Sequence, residues 1–396
     1  MAIVMRRAIV TVVTRNYAHF AQVLMGSCRR FHPNADLFVC YADRPPQSWK
    51  ESTDDVQAIY GDELAIENWK RFAFQYTPFE LSCALKPFVI SELLDRDYDE
   101  IAYLDGDMVA FGPLTEVFSR LESDSIVLTP HLLKPLPVDG KRPDETAFLI
   151  AGTFNAGFFA VRNDANTHGF IEWWKQMCLR NCYVDLSSSI FVDQKWLSLV
   201  PGMFEGVHIL RNPGYNAGHW TLSQFPFTSA PGNSVSESGV AVGGNPLVLF
   251  HFSGMTPSNA NDYLVSQTRT SLDVLPALQK IVSQYHRDLT EAGMSTYSAW
   301  GCEFDQLANG SKIHLAWREA IRQQHKSFAK VADPFDTHKY PHLPTSFAAI
   351  EPGAYKWRRD WRLKWPKDQG AAGQVRKVNK RLKSFFKGLQ LLRRSA

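Results

Sequence analysis

The stretch Ile101-Ala102-Tyr103-Leu104-Asp105-Gly106-Asp107 is a short apolar run that ends in two carboxylates separated by one glycine. The apolar part reads as a buried strand. That reading puts Asp105 and Asp107 at a strand's C-terminal end, the edge at which open α/β sheets bind ligands. Residues i and i+2 of an extended segment point the same way, so the two carboxylates can converge on one cation. Hard divalent ions take oxygen ligands and keep positions open for substrate phosphates. Gly106 permits a turn and leaves room for a ligand close to the backbone. A surface Asp-Gly turn between strands is the plain alternative, and the surrounding sequence has to choose between the two.

Outward from this stretch, short apolar strands alternate with amphipathic helices. Ala8–Val13 reads as a first buried strand closed by Thr14-Arg15-Asn16-Tyr17, residues 18–30 as a helix, and Leu37–Tyr41 as a second strand. Pro87 suits the first position of a helix whose apolar face carries Phe88, Ile90, Leu93 and Leu94. Further strands are expected at Ile126–Thr129, Phe158–Val161 and Leu247–Phe252. The alternation predicts an α/β sheet sandwiched by helices. Residues 134–146 and the Ser-, Gly- and Pro-rich 221–246 read as loops over a site, and from about residue 261 the pattern turns helical and polar.

The chain has 396 residues, 45% apolar and 21% charged, enough for one large domain and a smaller one. Its net charge of +3 hides a split. Residues 352–396 carry 14 basic and 2 acidic side chains, against 29 and 38 in the rest, so the basicity belongs to a tail. There Val375, Val378, Leu382, Phe385, Phe386, Leu389 and Leu392 share one helical face opposite Lys and Arg, downstream of Trp357, Trp361 and Trp365. Such a helix suits an anionic membrane surface, and docking on the protein's own body is the alternative. With the basic residues confined to the tail, no nucleic-acid partner is expected.

The six cysteines lack zinc or disulfide spacing; Cys178 and Cys182 are one helical turn apart without the partners a zinc site needs. Packed, reduced thiols and an N-terminal apolar run too short for a signal peptide point to a cytoplasmic protein, with the tail at the inner face of the cytoplasmic membrane.

Four features join the aspartate pair. Lys86 precedes the expected Pro87 helix, so its ammonium and the helix N-terminus would both face an anion. Asn155-Ala156-Gly157 stands at the entrance of the Phe158–Val161 strand. Asp193-Gln194 follows Ile190-Phe191-Val192, where Asp193 can also serve as a helix cap. His251-Phe252-Ser253-Gly254 closes the last apolar strand; taken alone, His251 reads as a satisfied core histidine before it reads as a ligand.

In this order the residues resemble the retaining GT-A glycosyltransferases of family 8, the glycogenin and bacterial lipopolysaccharide galactosyl- and glucosyltransferase type. The resemblance spans about the first 255 residues and rests on Thr14/Asn16/Tyr17, Lys86-Pro87-Phe88, Leu104-Asp105-Gly106-Asp107, Asn155-Ala156-Gly157, Asp193-Gln194 and His251-Phe252-Ser253-Gly254. It implies a GT-A catalytic domain over 1–260, leaving a helical accessory region over 261–350 and the basic amphipathic tail over 351–396. It further implies that Asp105, Asp107 and His251 ligate Mn2+ or Mg2+ on the diphosphate of a UDP-sugar. By the same resemblance Thr14, Asn16 and Tyr17 hold uracil and ribose, Lys86 contacts the donor with Asp105 and Gly106 beside it, and Gly254 admits the diphosphate. Asn155, Asp193 and Gln194 face the transferred hexose and its acceptor, a glycan or glycolipid of a bacterial cell surface such as lipopolysaccharide.

Family members commonly carry a lysine that grips the diphosphate after the His-x-x-Gly element. Here the run is Gly254-Met255-Thr256-Pro257, and Arg269 is one candidate to replace it. A sugar-1-phosphate nucleotidyltransferase would want a glycine-rich loop after the first strand, which Thr14-Arg15-Asn16-Tyr17 lacks. A non-catalytic nucleotide-sugar-binding protein is the other alternative, favoured by the missing lysine and opposed by both aspartates and His251.

Overall fold

The computed structural model describes residues 5–47, 49, 55–230, 236–255, 263–264, 267–272, 275–324 and 328–348. The basic tail, with its three tryptophans, lies outside the described residues.

Strand β1 (Arg7–Val13) is almost wholly buried, as a run without polar alternation must be when both faces are covered. After a tight turn at Arg15–Tyr17, α1 (Ala18–Phe31) leads to β2 (Asp36–Tyr41) and then β3 (Val56–Tyr60). A short α2 (Trp69–Phe74) precedes α3 (Pro78–Asp95), and β4 (Glu100–Leu104) and β5 (Met108–Ala110) flank the Asp105–Asp107 turn. Then come α4 (Thr115–Leu121), β6 (Ile126–Pro130), α5 (Glu145–Ala151), β7 (Phe154–Arg162) and α6 (Ala165–Cys178). The small hairpin β8 (Val184–Asp185) and β9 (Ile190–Phe191) leads to α7 (Gln194–Leu197), α8 (Val200–Met203) and β10 (Val207–Ile209).

Seven of these strands form one sheet in the order β10-β6-β7-β4-β1-β2-β3. All pairs are parallel except those of β7, which runs antiparallel to both β4 and β6. One edge of the sheet therefore gathers the C-terminal ends of β1, β4, β6 and β10 with the N-terminal end of β7. Helices cover both faces, which is the mixed α/β sandwich the alternation predicts. Trp174 of α6 is fully buried against Phe159 and Phe170 on one side of the sheet.

Three features differ from the sequence reading. The helix expected to begin at Pro87 starts at Pro78, where Thr77 and Glu80 make a reciprocal capping box of 3.3 and 2.9 Å. Pro87 sits inside it, and Lys86 is mid-helix, away from the N-terminus of its own helix. Next, β7 begins at Phe154, so Asn155-Ala156-Gly157 is within a strand rather than at its entrance. Finally, residues 221–246 contain a three-stranded sheet of β11 (Phe227–Ser229), β12 (Val240–Val242) and β13 (Asn245–Pro246).

The last apolar strand, β14 (Leu249–His251), pairs with β5 instead of joining the main sheet, and the register sets His251 opposite Met108. Helices α9 (Pro276–Glu291), α10 (Met294–Ser298), α11 (Leu315–Arg322) and α12 (Leu343–Ala348) follow. Leu278, Ile281, Val282 and Tyr285 of α9 pack with Phe20, Phe250 and Phe252. Buried Arg318 donates to the carbonyls of Phe74, Tyr76 and Phe304, fixing α11 to the turn before α3. No described helix is long and apolar enough to cross a membrane.

Candidate metal centre

Asp105 leaves the sheet edge just after β4, its N–H donating to the Gly157 carbonyl at 2.7 Å. A turn follows, closed by Met108 N–H on the Asp105 carbonyl at 3.1 Å, so the two carboxylates converge through a turn rather than an extended segment. The β5–β14 pairing then delivers His251, whose Nε2 lies 3.0 Å from Asp107 Oδ1. Ligand atoms of Asp105, Asp107 and His251 all fall within 4.8 Å of one another. Two carboxylates and an imidazole suit Mn2+, Mg2+ or another divalent ion with open positions. Gly157 is required beside them: a Cβ there would lie 2.4 Å from the His251 ring. The residues present fit a divalent ion.

The orientation of His251 is set from behind. Its Nδ1 faces Asn216 Oδ1 at 3.2 Å, and Asn216 Nδ2 donates to Thr129 Oγ1 at 2.7 Å and to Asn155 Oδ1 at 3.1 Å. Asn155 Oδ1 also accepts the Gly157 N–H at 2.9 Å, and Asn155 Nδ2 meets His131 Nε2 at 3.1 Å. His131 Nδ1 reaches the Gly152 carbonyl at 2.9 Å. Backbone groups at both ends fix the direction of every bond. His131 carries its proton on Nδ1 and His251 donates from Nδ1, which turns Nε2 toward Asp107. Burial holds His131 neutral, pulling its pKa down to about 3, with the His219 charge acting in the same direction. Burial also opposes charge on His251, yet Asp107 outweighs it and raises the imidazole. For Asp107, burial is outweighed by His251, which keeps the carboxyl below its ordinary range.

Lys86 takes a different place from the one its sequence context suggests. Its ammonium is buried, 3.0 Å from Asp105 Oδ1 and 3.2 Å from Asp193 Oδ2, and donates to the Ala156 carbonyl at 3.1 Å. Burial opposes its charge, but the two carboxylates hold the ammonium well above its ordinary pKa. Tyr103 donates to the same Asp105 oxygen at 2.7 Å. Asp193 is 1% exposed, and burial raises its carboxyl despite Lys86. It makes no side-chain cap on α7, contrary to the capping alternative. Gln194 accepts the Ala156 N–H at 3.2 Å and donates to the Ala151 carbonyl at 3.1 Å.

Thr14, Asn16 and Tyr17 follow β1 at the same sheet edge. Thr14 is buried, and the Tyr17 ring, 47% exposed, stacks on Phe20 at 4.9 Å. Burial and, after it, the Asp107 charge raise the Tyr17 hydroxyl's pKa. Gly106 packs against Val13, where a Cβ would lie 2.8 Å from Cγ1, and Gly254 has φ +81°. Arg269 does not replace the missing lysine. Its guanidinium is tied to Asp139 at 3.2 Å and to the carbonyls of Pro137, Lys141 and Pro143.

The sequence reading missed Asn216, Thr129 and His131. Asn216 takes a φ of +51°, which asparagine tolerates better than most residues, and its sequence neighbourhood carries no signal of that role.

No family model matches the chain. Two proteins of Bacillus subtilis (strain 168) are similar in sequence. The uncharacterized protein YfnF is 25% identical over 274 residues, covering 68% of this chain and 88% of its own length. The uncharacterized protein YfnD is 26% identical over 252 residues, covering 62% and 77%. Among solved structures, the galactosyltransferase LgtC, crystallised with donor and acceptor sugar analogs, aligns with 72% of this chain and 96% of its own at TM-score 0.44 and 14% identity. The glycosyltransferase GlyE of Streptococcus pneumoniae TIGR4 aligns with 74% of this chain and 64% of its own at TM-score 0.42 and 16% identity.

Proposed function

We propose that this protein is a metal-dependent retaining glycosyltransferase that moves a hexose from a UDP-sugar to a hydroxyl acceptor. One observation carries the reading: Asp105, Asp107 and His251 bring their ligand atoms within 4.8 Å of one another, at the sheet edge where α/β folds bind ligands. A divalent ion held there supplies positive charge against the departing nucleoside diphosphate. The protein's part is to preorganise that charge. Lys86 keeps its proton between Asp105 and Asp193, holding the Asp105 carboxylate in one position. Asn216 holds His251 with Nε2 turned to the centre.

Thr14, Asn16 and Tyr17 form the nucleoside wall in this reading, with the Tyr17 ring as a stacking face. Gly106 and Gly254 admit the diphosphate to the backbone. Asn155, Asp193 and Gln194 line the wall on the sugar side, their polar atoms held by Asn216, by Lys86 and by the backbone at Ala151 and Ala156. The acceptor we favour is a lipid-linked glycan of a bacterial cell surface, with the cationic 352–396 tail holding the enzyme at an anionic membrane.

UDP release measured with UDP-glucose, UDP-galactose and UDP-N-acetylhexosamines, with Mn2+ and with EDTA, tests the reading. Turnover with one donor that EDTA abolishes is expected, and Asp107→Asn should remove metal-dependent donor binding while leaving the fold intact. Metal-independent turnover, or none with any donor, overturns it; UDP binding without release would mark a non-catalytic binder. Deleting 352–396 should abolish liposome association while activity on a soluble acceptor is kept, and unchanged association would sink the membrane role.

A further inference from the structure

Arg15 stands inside the turn that carries Thr14, Asn16 and Tyr17, and both its backbone and its side chain are held. Its N–H donates to Asp43 Oδ1 at 2.7 Å. Its guanidinium donates from all three nitrogens to backbone carbonyls: Nε to Gly301 at 3.0 Å, Nη1 to Arg44 at 3.3 Å and Nη2 to Trp300 at 3.3 Å. Asp43, whose side chain is fully buried, closes the arrangement with Oδ2, which accepts the Glu303 N–H at 2.8 Å and lies 3.4 Å from Arg15 Nε. A guanidinium shared among three carbonyls is spent on ordering backbone, not on waiting for an anion.

The sheet brings these groups together. Strands β1 and β2 are parallel neighbours, and the Ala42 N–H on the Val13 carbonyl at 2.8 Å closes their ladder, so Arg15 leaves β1 beside Asp43 leaving β2. The same turn reaches the candidate metal centre. Val13 is the residue on which Gly106 packs, and the Tyr17 ring stacks on Phe20, whose Cβ lies 3.8 Å from where a Gly106 side chain would start. A second tie runs alongside: Gln22 Nε2 donates to the Tyr297 hydroxyl at 2.9 Å, and the His19 and Tyr297 rings lie parallel with centroids 6.1 Å apart. The turn is thus joined to the Asp105–Asp107 turn through Val13 and Phe20, and to residues 297–303 through Arg15, Asp43 and Gln22.

We infer that Arg15 and Asp43 are positioning residues of the donor site, clamping the Thr14–Tyr17 turn to residues 300–303 so that the helical region forms the back of the nucleoside wall. This rests on the donor-site reading above. A buried carboxylate that accepts N–H groups from residues 15 and 303 makes charge-assisted bonds that fix the spacing of the two segments. The clamp orders the turn before a nucleoside arrives, and a ligand that meets an ordered wall does not have to supply that ordering from its own binding energy.

Binding of Mn2+ alone, and of UDP in saturating Mn2+, to the full chain and to Arg15→Met, Arg15→Lys and Asp43→Asn tests this. Methionine keeps the aliphatic stem and removes every donor, lysine keeps one cationic donor for the carbonyls, and asparagine keeps one of the two acceptors. Arg15→Met and Asp43→Asn should each weaken UDP about tenfold and leave Mn2+ unchanged, and Arg15→Lys should recover part of the loss. Unchanged UDP affinity overturns the assignment, because the turn then keeps its form without the clamp. An equal loss for Mn2+ also overturns it, since the damage would then be to the fold as a whole. A loss with Arg15→Met but none with Asp43→Asn overturns it as well, because the guanidinium would then be touching the ligand itself. Failure of the wild-type chain to bind Mn2+ or UDP overturns the donor-site reading instead.

Discussion

Asn216 Oδ1 accepts from His251 Nδ1 at 3.2 Å, and the opposite nitrogen of the same ring lies 3.0 Å from Asp107. The asparagine thus decides which face of the imidazole is available, although it touches neither carboxylate. Removing such an outer partner of a ligating histidine typically costs about 10–100-fold in metal affinity. Asn216→Ala should weaken Mn2+ binding by that amount while circular dichroism stays unchanged. Nitrogen NMR of the wild-type imidazole should find Nδ1 protonated. Equal Mn2+ affinity in the two proteins would refute the orienting role.

The Asp105–Lys86–Asp193 arrangement makes a second prediction. Breaking a buried ion pair by removing one partner costs about 3–5 kcal/mol, since a charge is left uncompensated. Lys86→Met should lower unfolding free energy by roughly that amount in a denaturant titration. Adding Asp193→Asn should recover part of the loss, because residues in one network do not behave additively. Strictly additive losses would mean that Lys86 and Asp193 are not energetically coupled.

Acid should destabilise the fold through its buried histidines. Burial lowers His19, His32 and His219 to about 4 and His131 to about 3, from an ordinary value of 6.5. The unfolded chain binds these protons first, so the stability they contribute is complete above pH 6.5 and is lost as pH falls toward 4, with His131 extending the loss toward 3. Each contributes a slope of about 1.4 kcal/mol per pH unit inside that window. His251 acts in the opposite sense: its raised pKa adds stability below 6.5 that disappears as pH climbs past the folded value. Unfolding free energy measured between pH 6.5 and 5, above most carboxylate titration, should fall steeply. A flat profile there would mean that these imidazoles are accessible to protons in the native state.

Much of the scaffold was legible because it is written locally. Ile101–Leu104 and Ala8–Val13 are short continuous apolar runs bounded by turn residues, the pattern of a strand buried on both faces. The position of His251 at a strand end also carried through, whereas Asp105 and Asp107 converge through a turn and not by extended alternation. Pro87 misled because a second proline, Pro78, occupies the helix start that the preference describes. Here the Thr77–Glu80 box starts the helix nine residues earlier, and Pro87 falls in its interior. Asn155 was placed at a strand entrance because its polar side chain breaks the apolar pattern, yet Asn216 and His131 satisfy that side chain inside the strand.

The sequence by itself determined the α/β alternation, the strand that ends in Asp105 and Asp107, and the residue types able to hold a cation there. Only the tertiary structure decided the rest. The β5–β14 register brings His251 to Asp107, the Asn216 and Asn155 amides set its proton, and Lys86 lies between two carboxylates. The physical reason is one of range. Apolar patterning acts over a few residues, whereas hydrogen-bond direction and charge pairing are settled between segments that meet only after the sheet has formed.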